Sequence, residues 1–150
     1  MNRIVAALIS LLFASSSPAQ SNAYAPKELP PAAKTPRVRI AQGPELESAE
    51  ENSAIIRWTT NNPGGSDEHY AVIHYGTDPK YLNQTAKSHI RLNQNHPDTI
   101  FRVMVVGLAP RTTYYYTVDS MEATGESDGL KSNVARFTTR GPGERIAAAP

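Results

Sequence analysis

Alternation of apolar and polar side chains runs through the middle of the chain and predicts a series of short strands. Side chains at every second position of a strand face the same side, so each alternating segment offers one apolar face to a core. The residues predicted to face that core are Val38, Ile40, Ala54, Ile56, Trp58, Ala71, Ile73, Tyr75, Phe101, Val103, Val105, Tyr114, Tyr116, Val118, Ala135 and Phe137. A further edge strand over Gln84 to Ser88 is only weakly indicated.

Turn residues separate these segments, and no helical period appears between residues 37 and 140. The first strand is expected to end at Gly43 and Pro44, because proline donates no main-chain hydrogen bond, and an acidic loop through Glu51 should follow. Six clear strands and one edge strand predict an all-β fold, a seven-stranded antiparallel sandwich, with a small barrel as the alternative.

The segment from Gly107 to Val118 is expected to form a corner between two strands. Pro110 interrupts any ladder, whereas the residues from Tyr114 onward have the composition of a strand. A tyrosine at such a corner hydrogen-bonds the preceding connection, so the Tyr114 hydroxyl should reach main chain near Leu108 to Arg111. The predicted structural core is Trp58, Tyr75, Leu108, Pro110 and Tyr114.

Residues 1–19 are typical of a secretory signal peptide. Arg3 precedes an apolar stretch from Ile4 to Ala14, and small residues lead to a cleavage site after Ala19, or alternatively after Ala23. The stretch is too short to span a bilayer, which disfavours a membrane anchor. Residues 20–36 are predicted to be a disordered Pro/Ala-rich linker, 37–140 the domain and 141–150 a flexible tail. We expect an exported protein, secreted or periplasmic, with no membrane attachment after cleavage.

The composition excludes some classes of ligand and partner but does not identify one. The chain has no cysteine, which excludes disulfides and thiolate metal ligands. Its formal charge of +1 comes from 15 basic and 14 acidic residues with no basic stripe, so nucleic acid is not an expected partner. A single domain stabilised by packing is expected to be a monomer whose partner, a protein or a cell surface, is unknown.

The corner and the core residues resemble those of a fibronectin type III domain, which is an immunoglobulin-like sandwich. Such domains carry a core tryptophan on the second strand, here Trp58, and a Leu-x-Pro-x-Thr-x-Tyr corner, here Leu108 to Tyr114. The segments Ile73 to Pro79, Tyr114 to Tyr116 and Phe137 to Thr139 look most like the N-terminal fibronectin-like domain of purple acid phosphatases. The resemblance spans roughly residues 37–140.

That resemblance implies an accessory module without the enzyme. Purple acid phosphatases hydrolyse phosphate esters with two metal ions, which a separate C-terminal domain holds. The Gly-Asp-x-x-Tyr and Gly-Asn-His-Asp/Glu motifs of that domain do not occur in this sequence, and the segment Asn95 to Asp98 is only a distant approach to the second. We therefore expect no enzyme activity, no catalytic residue and no cofactor.

The four histidines and the acids near them are the only side chains considered as ligands of a metal site. The candidates are His69, His74, His89, His96, Asp67, Glu68 and Asp98. His69 and His74 are an odd number of residues apart, so they should face opposite sides of a strand. No pair has the close spacing of a zinc site, and the sequence thus predicts no metal site.

An apolar patch on the outer face of one sheet is the predicted interaction site. Outward strand positions are usually polar, so apolar residues there suit protein docking. Scattered apolar residues covered by arginine stems are the alternative interpretation. The predicted interaction face is Ile55, Met104, Val106, Arg57 and Arg102.

Three functions remain open from the sequence. The leading one is an exported, non-catalytic module that acts through protein or surface contacts. The second is an accessory domain or subunit of a purple acid phosphatase-like metallophosphatase, where acid phosphatase activity and metal binding follow from family association only. The third is polysaccharide binding, which requires exposed coplanar aromatic rings, and Tyr70, Tyr81 and Tyr115 are the candidates.

Overall fold

The computed structural model describes residues 33–130 and 132–144. Within these ranges the chain forms seven strands and no helix, which confirms the all-β prediction. The strands are β1 Ile40–Ala49, β2 Ser53–Asn61, β3 Glu68–Gly76, β4 Gln84–Arg91, β5 Asp98–Val106, β6 Thr113–Glu122 and β7 Ala135–Thr138. The predicted signal peptide, residues 20–32 of the predicted linker and residues 145–150 of the predicted tail lie outside the described residues.

Two antiparallel sheets form the layers of a sandwich. One sheet has the strand order β1-β2-β5, and the other has the order β4-β3-β6-β7. The weakly indicated edge strand exists as β4, at one edge of the larger sheet. The predicted seven-stranded antiparallel sandwich is therefore confirmed. In the described part of the chain, nothing forms a helix that is long and apolar enough to cross a membrane.

Aromatic and branched side chains fill the space between the two sheets. Trp58 stacks on Phe101 across β2 and β5, with ring centroids 5.4 Å apart. The residues predicted to face inward are buried, except that Ile40 and Ala135 are partly buried against the core. Full burial of one large apolar side chain contributes about 1.5–3 kcal/mol, so this interior is the main source of stability.

The first strand differs from its prediction, which ends it at Gly43 and Pro44. β1 continues through both residues to Ala49, with register shifts against β2 at three places. At these irregular positions β1 carries extra residues that do not take part in the hydrogen-bonded ladder with β2. Gly43 has a φ of +81°, and a Cβ there would lie 3.0 Å from the Arg57 carbonyl oxygen, so the position requires glycine. Most of the predicted acidic loop is strand, and Glu45 and Glu47 therefore lie on β1 beside β2.

The predicted corner forms between β5 and β6. The Ala109 amide donates to the Tyr114 hydroxyl at 2.9 Å, inside the range of residues predicted for this bond. Leu108 is buried, and Tyr114 packs edge-on against Tyr75 with centroids 6.1 Å apart. Pro110 requires a correction, because it lies in the turn of the corner and is exposed. It shapes the turn and does not fill the core.

Both ends of the described chain contact the domain. Lys34 Nζ lies 3.2 Å from Glu122 Oε1, and Arg111 pairs with Glu144 at 3.1 Å. The Glu144 carboxylate also accepts a hydrogen bond from the Gly141 amide at 2.9 Å. The last residues of the predicted linker and the first residues of the predicted tail therefore belong to the folded domain.

Candidate functional site

An apolar strip lies on the outer face of the three-stranded sheet. Met104 and Val106 are 57% and 62% exposed, and Ile55 pairs with Met104 across β2 and β5. Ile100 is missing from the predicted set, yet it lies on the same face of β5 and is 60% exposed. Its alternation with the buried Phe101 is the signal that could have placed it there. We call Ile55, Ile100, Met104 and Val106 the apolar strip.

The two arginines of the predicted interaction face are paired with acids of β1. Arg102 donates from Nε and Nη2 to the two Glu47 carboxylate oxygens, both at 2.7 Å. These hydrogen bonds hold the pKa of Glu47 below its ordinary value and raise the pKa of Arg102. Arg57 lies 3.8 Å from Glu45. Arg57 and Arg102 are opposite each other within the strip, between Ile100 and Met104, and their pairing with acids favours an apolar partner surface over an anionic one.

An open groove of about 290 Å³ continues the apolar strip between the end of β4 and the start of β5. Ile90 and Ile100 give it apolar walls, and Asn93 and His96 also line it. The His96 ring is 2.9 Å from the Asp98 carbonyl oxygen and so belongs to its own turn. The groove adds apolar surface next to the strip.

The three tyrosines considered for polysaccharide binding are spread over the outer face of the larger sheet and the loop after β3. Across β3 and β6, Tyr70 pairs with Met121 and Tyr115 pairs with Gly76. Positions 70 and 76 are six residues apart on β3, which is about 20 Å along a strand. Tyr81 is exposed in the loop that follows β3. Tyr70 and Tyr115 therefore share the outer face of the larger sheet but are too far apart along the strands to be adjacent stacking rings.

The four histidines are spread over the domain. His69 points into the interior and His74 lies on the opposite face of β3, as their spacing predicts. His89 pairs with Glu68 at the surface, and His96 is bonded within its own turn. Among the described residues, only His69 belongs to a group of side chains that could hold a metal ion.

His69 is part of a buried polar cluster at one end of the interior. It pairs with Glu122 across β3 and β6, and both residues are on the inward face. Its Nε2 atom lies 3.4 Å from Asp128 Oδ1. Ser120 is on the same face of β6 and donates from Oγ to Asp128 Oδ2 at 2.7 Å. We call His69, Ser120, Glu122 and Asp128 the buried cluster.

Several polar atoms of the buried cluster have no hydrogen-bond partner among the described residues. Both ring nitrogens of His69 and the Oδ1 atom of Asp128 are buried and unpaired. Buried polar groups in folded proteins are nearly always bonded, and each unsatisfied one costs about 1–3 kcal/mol. The buried cluster is thus a costly arrangement for an interior that only supports the fold.

Neither acid of the buried cluster is among the predicted ligand candidates. Glu122 has a readable signal, since it follows Tyr114 at even spacing along β6 and so shares its inward face. Asp128 has no such signal in the sequence, because it lies in the loop after β6, where strand periodicity does not apply. Among the acids predicted as candidate metal ligands, Glu68 instead pairs with His89 at the surface.

A lysine covers the buried cluster on its solvent side. Lys34 Nζ lies 3.0 Å from Glu126 Oε1 and 3.2 Å from Glu122 Oε1. Its hydrogen bonds to Glu126 and then Glu122 raise the pKa of Lys34. Gly65 leaves room for the Glu122 carboxylate, since a Cβ there would lie 2.7 Å from Oε1. Glu122 therefore connects the cluster to the surface.

Two antiparallel sheets, a core tryptophan on β2 and a tyrosine corner at the start of β6 define a fibronectin type III-like domain. Residues 41–139 match the family model described as the purple acid phosphatase N-terminal domain. This match covers more than half of the chain, so the protein belongs to that family, and the resemblance seen in the sequence is confirmed. A search of curated proteins gave no match.

Solved structures with a similar fold have low sequence identity to this chain. The sensor domain of the anti-sigma factor RsgI4 in Pseudobacteroides cellulosolvens is 22% identical, with 69% of this chain and 94% of that chain covered and a TM-score of 0.48. The FN5 domain of Drosophila Lar is 18% identical, with 69% and 96% covered and a TM-score of 0.40. The sixth fibronectin type III domain from human fibronectin type III domain containing protein 3 is 18% identical, with 77% and 98% covered and a TM-score of 0.43.

Proposed function

We propose that this protein is a non-catalytic accessory module that binds a partner protein through the apolar strip. The observation that carries the proposal is the exposure of Ile100, Met104 and Val106 on the outer face of β5, where Arg102 is the one charged residue between them. Contiguous apolar groups on a soluble surface often mark a binding site. Membership in a family of N-terminal domains supports an accessory role.

The partner surface that fits the apolar strip is itself apolar. Arg102 and Glu47 neutralise each other through two short hydrogen bonds, so an incoming protein gains little from charge at this place. Binding energy must then come from burying the strip. Met104 lies near its middle, and the flexible thioether side chain adapts to irregular partner surfaces.

The direct test replaces two residues of the strip by aspartate. Met104→Asp with Val106→Asp should leave the fold intact, since both residues are exposed, and should weaken partner binding at least about tenfold. The matched control is Thr85→Asp with Val134→Asp, which adds the same charge at exposed positions on or beside the other sheet. A photo-reactive residue at Ile100 identifies the partner in the native exported fraction, and titration with the purified partner then compares the variants.

Comparing the strip variant with the control variant distinguishes a specific effect at the apolar strip from a general effect of added negative charge. Binding that survives in the strip variant overturns the docking surface. Equal losses in the strip variant and in the control variant also overturn it, because added negative charge alone would then explain the result.

A second candidate function follows from the family. We propose a purple acid phosphatase catalytic domain as the first partner to test, with this domain positioning it and contributing no metal ligand to its dinuclear centre. The test titrates the purified chain against a metal-loaded catalytic domain and measures phosphate ester hydrolysis in parallel. Binding that the strip variant loses supports the proposal. Phosphatase activity of this chain alone, abolished by a chelator, overturns the non-catalytic assignment.

We also propose that the chain is exported. The support is the pattern of residues 1–19, in which a basic residue, an apolar stretch and small residues follow one another. N-terminal sequencing of the protein from the exported fraction should begin at Gln20. A full-length chain that keeps Met1 and stays in the cytoplasm would contradict export.

A further inference from the structure

We propose that the buried cluster binds one divalent transition-metal cation, with zinc as the ion that fits its donors. His69, Glu122 and Asp128 each offer a ligand atom, and these atoms all lie within 4.8 Å of one another. One imidazole nitrogen with two carboxylate oxygens is a donor set that suits zinc and its neighbours in the first transition row. Calcium and magnesium prefer sites made of oxygen alone.

The distance between two of these donors matches a zinc site. Ligands at about 2.0–2.1 Å from a tetrahedral zinc ion lie about 3.4 Å from each other. His69 Nε2 and Asp128 Oδ1 are 3.4 Å apart. Glu122 is opposite His69 in the β3–β6 register, and one of its carboxylate oxygens lies within 4.8 Å of both other donors.

The orientation of Asp128 is held by neighbours that leave one oxygen available. Ser120 Oγ donates to Oδ2 at 2.7 Å, and the Asp128 amide donates to the Ser120 carbonyl at 2.9 Å. Hydrogen bonds of this kind orient metal ligands in known sites. The second oxygen, Oδ1, is directed towards His69.

An independent observation is the lack of partners inside the cluster. The side chains of His69 and Asp128 are both 0% exposed, and neither His69 nitrogen nor Asp128 Oδ1 has a hydrogen-bond partner among the described residues. A cation between Nε2 and Oδ1 satisfies both atoms at once. A direct contact between the two side chains is the competing arrangement, and it predicts no response to metal.

Lys34 is the natural competitor for the metal. Its ammonium group is 3.2 Å from the same Glu122 carboxylate that completes the donor set. A bound cation would replace this ammonium as the positive charge at Glu122. The metal would then join β3, β6 and the loop after β6, which is a structural role and distinct from the interaction proposed for the apolar strip.

The experiment titrates zinc chloride into the chelator-treated full chain by calorimetry and follows the melting temperature. Wild type should bind one equivalent and melt at a higher temperature with zinc. Glu122→Gln, near the surface, should fold and lose at least about tenfold in affinity, and His69→Gln should lose binding. Lys34→Ala should bind more tightly, since no ammonium is displaced. The control is His89→Ala with Glu68→Gln, which removes an exposed histidine–glutamate pair and should keep binding.

Each outcome decides the proposal. No stoichiometric binding by wild type, with an unchanged melting temperature, overturns it in favour of a direct His69–Asp128 contact. Binding that is lost in the control and kept in Glu122→Gln assigns zinc to the surface pair and also overturns it. Cobalt(II) as a second probe should give a visible absorption band in wild type that Glu122→Gln lacks, which checks ligation without relying on stability.

Discussion

The two ends of the interior differ in whether their buried polar groups have hydrogen-bond partners. At the corner end, Tyr75, Tyr114 and Phe137 pack ring against ring, and the Tyr114 hydroxyl accepts a hydrogen bond from the Ala109 amide. At the opposite end of β3, both nitrogens of His69 are buried without a partner. The corner end therefore satisfies its buried polar group within the fold, whereas the other end keeps buried polar atoms that have no hydrogen-bond partner among the described residues.

β6 shows how one strand contributes to both ends. Its inward face begins with Tyr114 and Tyr116, continues with Val118, and finishes with Ser120 and Glu122. Alternation determines that all five side chains face inward, and the residue type at each place determines what that part of the interior can do. The change from aromatic to polar along one face separates a supporting region from a candidate binding region.

The largest effect is expected at the corner end. Phe137→Ala removes a ring that packs on Tyr114 and Tyr116, with centroids 5.7 and 5.8 Å away, and should lower the free energy of unfolding by about 4 kcal/mol. Urea unfolding followed by circular dichroism measures the loss. Val134→Ala is the exposed control and should change stability by less than about 0.5 kcal/mol. Similar small losses in both variants would show that the corner end is not the main source of stability.

The next largest effect is expected for the contact between His69 and Asp128 in metal-free protein. His69→Leu alone should lower the free energy of unfolding by about 2 kcal/mol, because Asp128 then stays buried without its polar neighbour at 3.4 Å. Adding Asp128→Asn should restore part of the loss, since the amide can still accept from Ser120 and carries no charge. Urea unfolding of wild type, both single variants and the double variant completes the cycle.

Strictly additive losses in that cycle would contradict the coupling. His69 and Asp128 would then contribute separately, and the polar end would be a set of unrelated buried groups. A coupling above about 1 kcal/mol shows that they act as a unit, whether or not a metal ion binds.

A smaller effect is expected from the corner hydrogen bond. Tyr114→Phe keeps the packed ring and removes the acceptor of the Ala109 amide, which should cost about 1 kcal/mol. Tyr115→Phe, on the outward face of the same strand, is the matched control and should cost less. Thermal or urea unfolding compares the two. If the two phenylalanine variants are equally stable, the corner bond has no measurable role.

Strand periodicity made most of the sandwich predictable from the sequence. The inward positions of β2, β5 and β6 can be read from the sequence pattern because both sheets bury one face, and Trp58, Tyr116 and Phe101 are the largest fully buried side chains on those faces. The course of β1 through Gly43 was not predictable. Its bulges depend on how the strand pairs with β2, and that pairing is not a local property of the sequence.

The candidate sites were predictable to different extents. Met104 and Val106 on the apolar strip follow from alternation, but the pairing of Arg102 with Glu47 required knowing that β1 continues past Gly43 and Pro44 into the predicted loop. In the buried cluster, Asp128 is 59 positions after His69 in the printed sequence and reaches it through a loop. Contacts made by loops depend on the folded chain, so sequence spacing gave no indication of this one.

The smallest effect concerns an acid on the other face of β6 from the buried cluster. Burial raises the pKa of Asp119, and hydrogen bonds from the Ser120 amide and the Ser127 hydroxyl partly oppose this shift. His74 also lowers the pKa of Asp119, whereas Asp128 raises it. Asp119 accepts hydrogen bonds at both carboxylate oxygens, from the Ser120 amide at 2.7 Å and the Ser127 hydroxyl at 3.1 Å, whereas only the Oδ2 atom of Asp128 accepts one.

The sign of the pH effect follows from the raised pKa. The folded state holds the Asp119 proton more tightly than the unfolded state, so the stability from this group is present at low pH. That stability is lost as pH rises from the ordinary pKa of 3.8 through the higher folded value. Asp119→Asn should therefore gain stability relative to wild type between pH 3 and pH 6, by under about 1 kcal/mol because the group is only partly buried. Urea midpoints at both pH values measure the difference.

The variant Ser127→Ala tests how much the hydrogen bonds from Ser127 affect the pKa of Asp119. It removes hydrogen bonds that hold the pKa of Asp119 down, so the fall in stability with rising pH should become larger than in wild type. If Asp119→Asn instead loses stability relative to wild type as pH rises, the hydrogen bonds outweigh burial. The outer acid would then be well satisfied as an anion, in contrast to the Oδ1 atom of Asp128 inside, which has no hydrogen-bond partner among the described residues.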